Sequence, residues 1–366
     1  MKIKNILFAI CFMFAAVSCS MDDENVMDDM GKEITNASEQ YSLINFGIDL
    51  NNPQTKSGTA VGNDTQGLSD DEKKINSCRI VILENNKILD ILTGTTTQAG
   101  DVYKVGNIKF LTKYWEGRKL TAMAIINAEG VDLSGCVDRD DLDKPVQDLL
   151  EADKLVKIGE KVITFGPQGN VSQHYPSAIE AANDANVQTI NIPVHHLAAR
   201  LEFANFKYTV DENSLIKNPS VKLLSARFVN VNKKSLLLSE EARDKSGIDG
   251  KVTSTSCMTS LENGVAIQPG LRSYSYANTN SDKAVALEVV FSVDGRNYTK
   301  QYVVNRPTGS YADGDFTNSV GKGNEYVRAG YIYRLTVNIT VSKDWVKSSI
   351  NCYTNDWIHN EWNVEF

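Results

Sequence analysis

Residues 331–341 of the chain read YIYRLTVNITV. From Tyr331 to Val341 a large apolar side chain stands at every second position, and most of the positions between them are polar. A period of two is typical of a β-strand that buries one face in a core and turns the other toward water. This stretch therefore predicts a half-buried strand of the kind that builds β-sandwiches.

Similar runs occur along most of the chain, and turn signals separate them. Asp294-Gly295 lies between two such runs and predicts a tight hairpin turn, and Asn85-Asn86 does the same earlier in the chain. The predicted strands are Tyr41–Leu50, Cys78–Leu83, Ile88–Leu92, Leu120–Asn127, Thr189–Val194, Ala198–Tyr208, Lys222–Val231, Ala284–Val293, Tyr298–Val304 and Tyr331–Val341.

The strands form two series, and helix is expected to be scarce. One helix is predicted to begin at Pro145, because proline suits the first helical position, and to continue to Asp153. Residues 167–185 predict a loop. The sequence therefore predicts an all-β chain with minor helix, in which one β-sandwich domain covers residues 41–186 and a second covers residues 187–366.

The start of the chain has the pattern of an export signal. Lys2 and Lys4 precede an apolar run, Ile6–Val17, which ends in small residues directly before Cys19. Cysteine at this place is typical of a bacterial lipoprotein, although an ordinary signal peptide with a chance cysteine is the alternative. We predict a signal peptide over residues 1–18, lipid on Cys19 and a flexible acidic tether over residues 19–40.

Composition and motifs disfavour several classes of function. The formal net charge is −8, and an acidic surface disfavours nucleic acid as a partner. The sequence contains no H-E-x-x-H, no G-x-S-x-G and no phosphate-binding glycine loop. His195-His196 would point to opposite faces of a strand, and Asp313-Gly314-Asp315 lacks the spacing of a calcium loop. We therefore predict no enzyme activity, no cofactor and no metal site.

Four cysteines follow Cys19, and none has C-x-x-C spacing. An exported compartment permits disulfides, but four cysteines allow three pairings and buried free thiols are equally compatible. The state of the four is therefore left open: Cys78, Cys136, Cys257 and Cys352.

An ordered series of segments resembles the fimbrillins, the pilus subunits of Bacteroidetes bacteria that are made as lipoproteins. The likeness begins with the cysteine at the end of the signal and spans nearly the whole chain. It rests on the following segments: Thr55–Gly58, Lys73–Ile75, Leu120–Ala128, Ile192–Leu201, Val327–Tyr333 and Ile350–Phe366. The resemblance implies two transthyretin-like β-sandwich domains in tandem.

The resemblance also implies a mechanism of assembly. A fimbrillin is exported as an outer-membrane lipoprotein precursor, and a trypsin-like protease then cuts the loop after its first strand. Lys56 is the only basic residue between Lys32 and Lys73, so the implied cut lies between Lys56 and Ser57. Removal of residues 41–56 would strip a strand from the first sandwich and expose a groove, which a neighbour's strand could fill.

The implied donor of that strand is the region 350–366, whose large side chains would plug the groove. The candidate plugs are Trp357, Ile358, Trp362, Val364 and Phe366, and packing of these side chains inside their own domain is the alternative. The implied partners are other fimbrial subunits, in a homo- or hetero-polymer, the processing protease, the outer membrane through the lipid, and a receptor on a host or bacterial surface.

The leading hypothesis is thus a structural pilin of a cell-surface fimbria that supports adhesion. Two other functions fit the same sequence. One is an accessory adhesin at the fimbrial tip or anchor, in which Lys56 stays uncut in an anchor subunit. The other is a surface lipoprotein that binds glycans, although such a protein would ordinarily carry more surface aromatic side chains.

Overall fold

A computed structural model describes residues 39–50, 68–99, 102–106, 108–147, 150–214, 218–238, 248–249, 254–278, 283–304, 327–342 and 345–356. Strands dominate these ranges, and the two α-helices are short, α1 (Asp70–Lys73) and α2 (Ala178–Asn183). The strands of the first half are β1 Gln40–Asp49, β2 Cys78–Glu84, β3 Lys87–Ala99, β4 Val102–Gly106, β5 Ile108–Tyr114, β6 Lys119–Ile126, β7 Pro145–Gln147, β8 Lys157–Thr164, β9 Gln188–Pro193 and β10 His195–His196. Those of the second half are β11 Ala198–Val210, β12 Val221–Val229, β13 Val231–Asn232, β14 Lys234–Leu236, β15 Ile248–Asp249, β16 Ser254–Ser260, β17 Leu271–Tyr276, β18 Ala286–Val293, β19 Arg296–Val303, β20 Tyr331–Val341 and β21 Val346–Asp356.

The first sandwich consists of two sheets that pack face to face. A three-stranded sheet in the order β5-β1-β9 covers a six-stranded sheet in the order β10-β8-β6-β2-β3-β4. Alternate apolar side chains from both sheets meet between them, as the period of two requires. The buried side chains of this core include Ile44, Phe46, Ile80, Ile82, Ile108, Ala122, Ala124, Ile190 and Ile192.

The second sandwich is built in the same way from later strands. Its sheets have the orders β15-β13-β17-β11-β20-β21 and β16-β12-β18-β19. In β20 the side chains of Tyr333, Leu335, Val337 and Ile339 are buried in the core, and those between them are partly exposed. The half-buried strand predicted from this stretch is therefore confirmed, as is the all-β fold class with two β-sandwiches.

A third buried cluster joins the two sandwiches. It contains Met123 and Ile125 from β6 of the first sandwich together with Tyr276 and Ile332 from β17 and β20 of the second. Residues 40–366 accordingly form one compact unit, and the prediction of two separate domains stays untested.

The strands β9 and β10 follow residue 187 in the sequence and pair with strands of the first sandwich. β9 pairs with β1, and β10 pairs with β8, so the first sandwich extends to His196. The alternating apolar pattern of β9 would suit either sandwich, because only the partner strand decides to which sheet it belongs.

The helix predicted from Pro145 to Asp153 is wrong. Residues Pro145–Gln147 form β7, in which buried Val146 lies opposite Ser235 of β14. Among the described residues near this segment, helical structure consists of 3₁₀ turns at Asp140–Leu142 and Ala152–Lys154. A short helix is marginal by itself, so pairing with a distant strand outweighed the helical spacing of a few apolar residues.

Both predicted hairpin turns are confirmed. The φ angles are 48° and 66° at Asn85 and Asn86, and 48° and 80° at Asp294 and Gly295. Two successive positive φ values define the type I′ turn, whose twist matches that of paired strands.

Two of the cysteines can be described. Cys78 and Cys136 are free thiols, and burial raises the pKa of the Cys78 thiol to about 12. Cys78 is therefore a neutral core residue at ordinary pH. No helix in the described ranges is long and apolar enough to cross a membrane.

Candidate functional site: the groove that holds the first strand

The strand β1 lies in the middle of its sheet, although it is early in the chain. On one side it runs antiparallel to β5, from Gln40 opposite Tyr114 to Phe46 opposite Ile108. On the other side β1 runs parallel to β9. Ahead of β9 on that side, Tyr41 and Tyr175 exchange two backbone hydrogen bonds of 2.9 and 2.8 Å. Both backbone edges of β1 are thus satisfied by strands that come later in the sequence.

The inner face of β1 fills part of the first core. Ser42, Ile44 and Phe46 are at most 1% exposed, and Ile48 packs partly against the same core. Burial of a large apolar side chain stabilises a fold by roughly 1.5–3 kcal/mol. One position is polar, because the Ser42 hydroxyl donates a 2.5 Å hydrogen bond to the backbone oxygen of Gln173. Without β1, the sheet would hold a groove with apolar pockets and one inward-facing carbonyl.

The outer face of β1 meets α2 and a side chain of β9. The helix α2 packs against β1 and β5, and Leu43 is only 7% exposed. Asn45 donates an amide hydrogen bond of 3.2 Å to the Thr189 hydroxyl. At Gly47 a Cβ would overlap the side-chain amide oxygen of Asn191, so the Asn191 side chain occupies the space beside this glycine.

The segment that carries the Gln173 carbonyl is held by its own side chains. The Gln173 amide donates a 2.6 Å hydrogen bond to the Asp184 carboxylate, and the Tyr175 hydroxyl donates to the same carboxylate. Partial burial, then the neighbouring Asp184, raises the pKa of Tyr175 to about 12, while the hydrogen bond from Tyr175 lowers the pKa of Asp184. These bonds fix residues 173–175 beside β1.

The chain that follows residues 51–67 is anchored by a buried carboxylate. Ser69 and Glu72 form a capping box at α1, in which the Ser69 amide donates a 2.7 Å hydrogen bond to Glu72 Oε2. Glu72 is fully buried, and it accepts bonds of 2.8 Å from Arg200 Nη1 and from the Tyr274 hydroxyl. Burial, then the charge of Glu72, raises the pKa of Tyr274. Since β11 and β17 carry Arg200 and Tyr274, Glu72 ties this segment to the second sandwich.

Two further buried side chains hold the same segment from the first sandwich. Lys157 donates a 2.9 Å hydrogen bond to the backbone oxygen of Lys74, and Asn127 donates one of the same length. The Asn127 side-chain oxygen accepts a 2.7 Å hydrogen bond from the Asn76 amide. Residues 69–77 therefore contact both sandwiches through buried polar groups.

Solved structures share this architecture. A "putative cell adhesion protein" from Parabacteroides distasonis matches with a TM-score of 0.53 and 14% identity, over 88% of this chain and 98% of that one. A fimbrilin, FimA, from Porphyromonas gingivalis W83 matches with a TM-score of 0.51 and 12% identity, over 87% of this chain and 99% of that one. The chain has the fimbrillin fold. The tip fimbrial protein Mfa3 from Porphyromonas gingivalis, with a C-terminal truncation, shows the same fold, with a TM-score of 0.51, 9% identity, and coverage of 87% and 100%.

Comparison by sequence, unlike comparison by structure, gives no match. No model of a known protein family matches the chain, and no curated protein matches its sequence. The structural comparison confirms the fimbrillin fold expected from the ordered series of segments. At sequence identities of 9–14%, this likeness establishes the fold alone.

The predicted site residues of this fimbrillin fold lie outside the described residues. This holds for Cys19, the predicted lipidation site, for Lys56 and Ser57 at the predicted cut, and for the five predicted donor side chains. Their roles stay predictions. The plugs are Trp357, Ile358, Trp362, Val364 and Phe366. What the structure describes is the strand before them, β21, which pairs with β20 along its whole length.

Sequence reasoning identified the strand at the centre of the site but missed the groups around it. The predicted strand Tyr41–Leu50 corresponds to β1. No local pattern predicts the contacts of Gln173, Thr189 and Glu72. Each of these residues binds a partner more than a hundred positions away in the sequence.

The histidine pair is part of this framework. His195 is half-buried and His196 is buried, and a ring nitrogen of His196 lies 3.2 Å from the backbone oxygen of Glu72. Across the described ranges, no three His, Cys, Asp or Glu side chains are grouped so that they could hold a metal ion.

Proposed function

We propose that this protein is a structural subunit of a cell-surface fimbria, polymerised by exchange of a strand between subunits. The observation that supports this most directly is the place of β1. An early strand lies between two later ones, fills the core with Ile44 and Phe46, and precedes the Lys56 loop in the sequence. A single cut in that loop would leave β1 held to the rest of the fold by non-covalent contacts.

Departure of β1 would create a strong site for another strand. The facing edges of β5 and β9 would lose their backbone hydrogen bonds, and the pockets of Ile44 and Phe46 would open to water. Unpaired edges beside an apolar groove recruit extended segments by strand addition. The proposed donor is region 350–366 of a neighbouring subunit, with its large side chains in those pockets.

The anchor around Glu72 supports a fold that survives the cut. Residues 69–77 are bound by Arg200, Tyr274, Lys157 and Asn127, independently of β1. Loss of residues 41–56 would thus open the groove while the following chain stays in place.

Export precedes assembly in this proposal. Lipid on Cys19 would hold the precursor at the outer membrane until a trypsin-like protease cuts between Lys56 and Ser57. The released subunit would then join other fimbrial subunits in the fimbrium, which would meet a host or bacterial receptor.

A tip or anchor subunit is the second candidate. The likeness to the tip fimbrial protein Mfa3 favours it, with a TM-score of 0.51, the same value as for FimA. A tip subunit would open the same groove, and an anchor subunit would keep its lipid and stay uncut.

Trypsin treatment of the precursor tests the leading proposal. Limited digestion should cut after Lys56 and yield a ladder of polymers on an unboiled gel, and N-terminal sequencing should begin at Ser57. The matched variant Lys56→Ala should give neither the cut nor the ladder. A wild-type chain that is cut at Lys56 and stays monomeric would contradict polymerisation.

A further inference from the structure

We propose that the side chains of Lys157 and Asn127 join through an amide bond, which makes a covalent cross-link inside the first sandwich. The Lys157 amine would take the place of the side-chain nitrogen of Asn127, and that nitrogen would leave as ammonia. The inference does not depend on strand exchange, because the groups that react lie in one chain and are buried together in the first sandwich.

Strand pairing brings the two side chains together. Ile126, the last residue of β6, lies opposite Lys157, the first residue of β8, and Asn127 follows Ile126 directly. The Asn127 nitrogen Nδ2 and the Lys157 nitrogen Nζ each donate a 2.9 Å hydrogen bond to the backbone oxygen of Lys74. Each nitrogen also donates a 3.2 Å hydrogen bond to the backbone oxygen of Leu155. Because they share both acceptors, the attacking and the leaving nitrogen occupy the same pocket.

The pocket supplies the amine in its reactive form. Lys157 is fully buried, and burial, opposed in part by the charge of Glu72, lowers its pKa from 10.5 to about 7. An amine attacks a carbonyl carbon only in its neutral form, which near pH 7 is a large share of the Lys157 side chains. An exposed lysine at the same pH is almost entirely protonated and does not react.

The carbonyl of Asn127 is held as an electrophile. Its oxygen Oδ1 accepts hydrogen bonds from two successive backbone amides, of 2.7 Å from Asn76 and 3.4 Å from Ser77. Negative charge would develop on this oxygen as the amine adds to the side-chain carbon, and backbone amides aimed at such an oxygen stabilise it. Asn127 is also fully buried, so water is kept from competing with the amine.

The reaction balances without a further reactant. The Lys157 nitrogen forms a bond to the side-chain carbon of Asn127, and the bond from that carbon to Nδ2 breaks. One hydrogen of the amine passes to Nδ2, which leaves as ammonia, and the product amide keeps one N–H. His196 lies opposite Lys157 in the pairing of β10 with β8, so its ring is on the same face of the sheet and carries this proton.

The cross-link would change both the unfolded chain and the titration of this site. It would close a covalent loop over residues 127–157, which restricts the unfolded chain as a disulfide does. The N–H of the product amide remains as a donor for the backbone oxygen of Lys74, so residues 69–77 stay anchored. The product does not titrate, so the pH dependence of an amine at Lys157 belongs to chains in which the bond has not formed.

Mass spectrometry of tryptic peptides tests the proposal. The folded protein, once denatured and digested, should give residues 120–139 joined to residues 155–161, with no cut after Lys157. The mass of this pair should equal that of the two peptides less one molecule of ammonia. Separate peptides, with a complete cut after Lys157, would overturn the proposal.

Two matched variants identify the bond. Lys157→Met removes the amine and Asn127→Ala removes the amide, so each should give separate peptides alone. An asparagine can also lose ammonia by closing a ring with its own backbone, but that reaction joins no peptides and would persist in Lys157→Met. Loss of ammonia from Asn127 without a joined pair in the wild type would therefore overturn the proposal.

A third variant tests the part of His196. His196→Gln keeps a hydrogen-bonding side chain but cannot carry the proton. In the folded fraction of freshly made protein, the ratio of joined to separate peptides should fall roughly tenfold or more below that of wild type. An unchanged ratio would overturn the role of His196.

Discussion

Glu72 connects the segment beyond the Lys56 loop to the second sandwich through buried side-chain contacts. Its two carboxylate oxygens face Arg200 and Tyr274, and its own backbone belongs to the segment beyond the Lys56 loop. A buried ion pair gains little over an apolar pair, but the loss of one partner leaves a charge stranded. We therefore infer that the Glu72 ion pair adds little net stability and mainly specifies where residues 69–77 contact the second sandwich.

We expect Glu72→Gln to lower the free energy of unfolding of the precursor by up to about 3 kcal/mol, because Arg200 would lose one of its two buried carboxylate partners and keep only Glu202. Urea unfolding measures this change. Glu151→Gln is the matched control, since Glu151 pairs with Lys154 on the surface and should change stability by less than about 1 kcal/mol. Equal effects of the two variants would argue against an anchoring role for Glu72.

Lys157 predicts a dependence of stability on pH. Burial, opposed in part by the charge of Glu72, lowers its pKa from 10.5 to about 7. Between these values the unfolded chain binds the proton and the folded chain does not, so this group adds stability as the pH rises through that window. Below pH 7 the cost of burying the charge is present in full.

The comparison with Lys157→Met isolates this effect from all other titrating groups. The unfolding free energy of wild type, minus that of the variant, should rise between pH 7 and pH 10, by up to about 1.4 kcal/mol per pH unit. Denaturant unfolding at several pH values measures the difference. A difference that stays constant with pH would show that Lys157 keeps the same proton in both states.

Among the elements, β1 is paired along both edges and is joined to the rest of the chain by the loop that contains Lys56. Its hydrogen bonds and inner face make it an integral strand of the precursor, yet the strands and the helix that it contacts in the described ranges all lie beyond the Lys56 loop. The same contacts would be offered to a donor strand once the loop is cut.

Phe46→Ala separates the two states of the groove. We expect the variant precursor to lose about 3–5 kcal/mol of unfolding free energy, because a large side chain leaves the core. After cleavage the weakened β1 should be displaced more readily, so the trypsin-induced ladder should appear faster than in wild type. Stopped digestion followed by unboiled gels measures the rate. A slower ladder would indicate that Phe46 acts in the polymer, contrary to the exchange of β1.

On the scale of the whole molecule, two sandwiches and a shared buried cluster form a single unit. The end of β21, at Asp356, lies opposite Tyr331 at the start of β20. Ile332, the next residue of β20, belongs to the cluster between the sandwiches. The proposed donor segment thus begins near the junction of the two sandwiches.

Deletion of Trp357–Phe366 should abolish the trypsin-induced ladder and leave the fold intact, because the pairing of β20 with β21 ends at Asp356. Ladder formation and thermal unfolding measure the two effects. A deletion variant that unfolds would favour the alternative in which these aromatic side chains pack inside their own domain. A folded variant that still forms ladders would place the donor elsewhere.

Local patterns predicted about half of the strands in the described ranges, for a simple reason. A period of two and turns such as Asp294-Gly295 depend on neighbours along the chain, so β12, β18, β19 and β20 were predicted within a few residues. The segment from Pro145 failed because its pairing with β14 involves a partner about ninety positions away. The pairing of β9 with β1 was missed for the same reason, because these two strands are far apart along the chain.

By itself the sequence determined the all-β class, the turn positions and the presence of an early strand followed by a lone basic residue. Only the tertiary structure decided that β1 is a central strand, that Gln173 and Thr189 contact its polar side chains, and that Glu72 anchors the chain beyond the loop. The physical reason is distance along the chain. Backbone conformation follows from adjacent residues, whereas a groove or a buried ion pair exists only once remote segments have packed together.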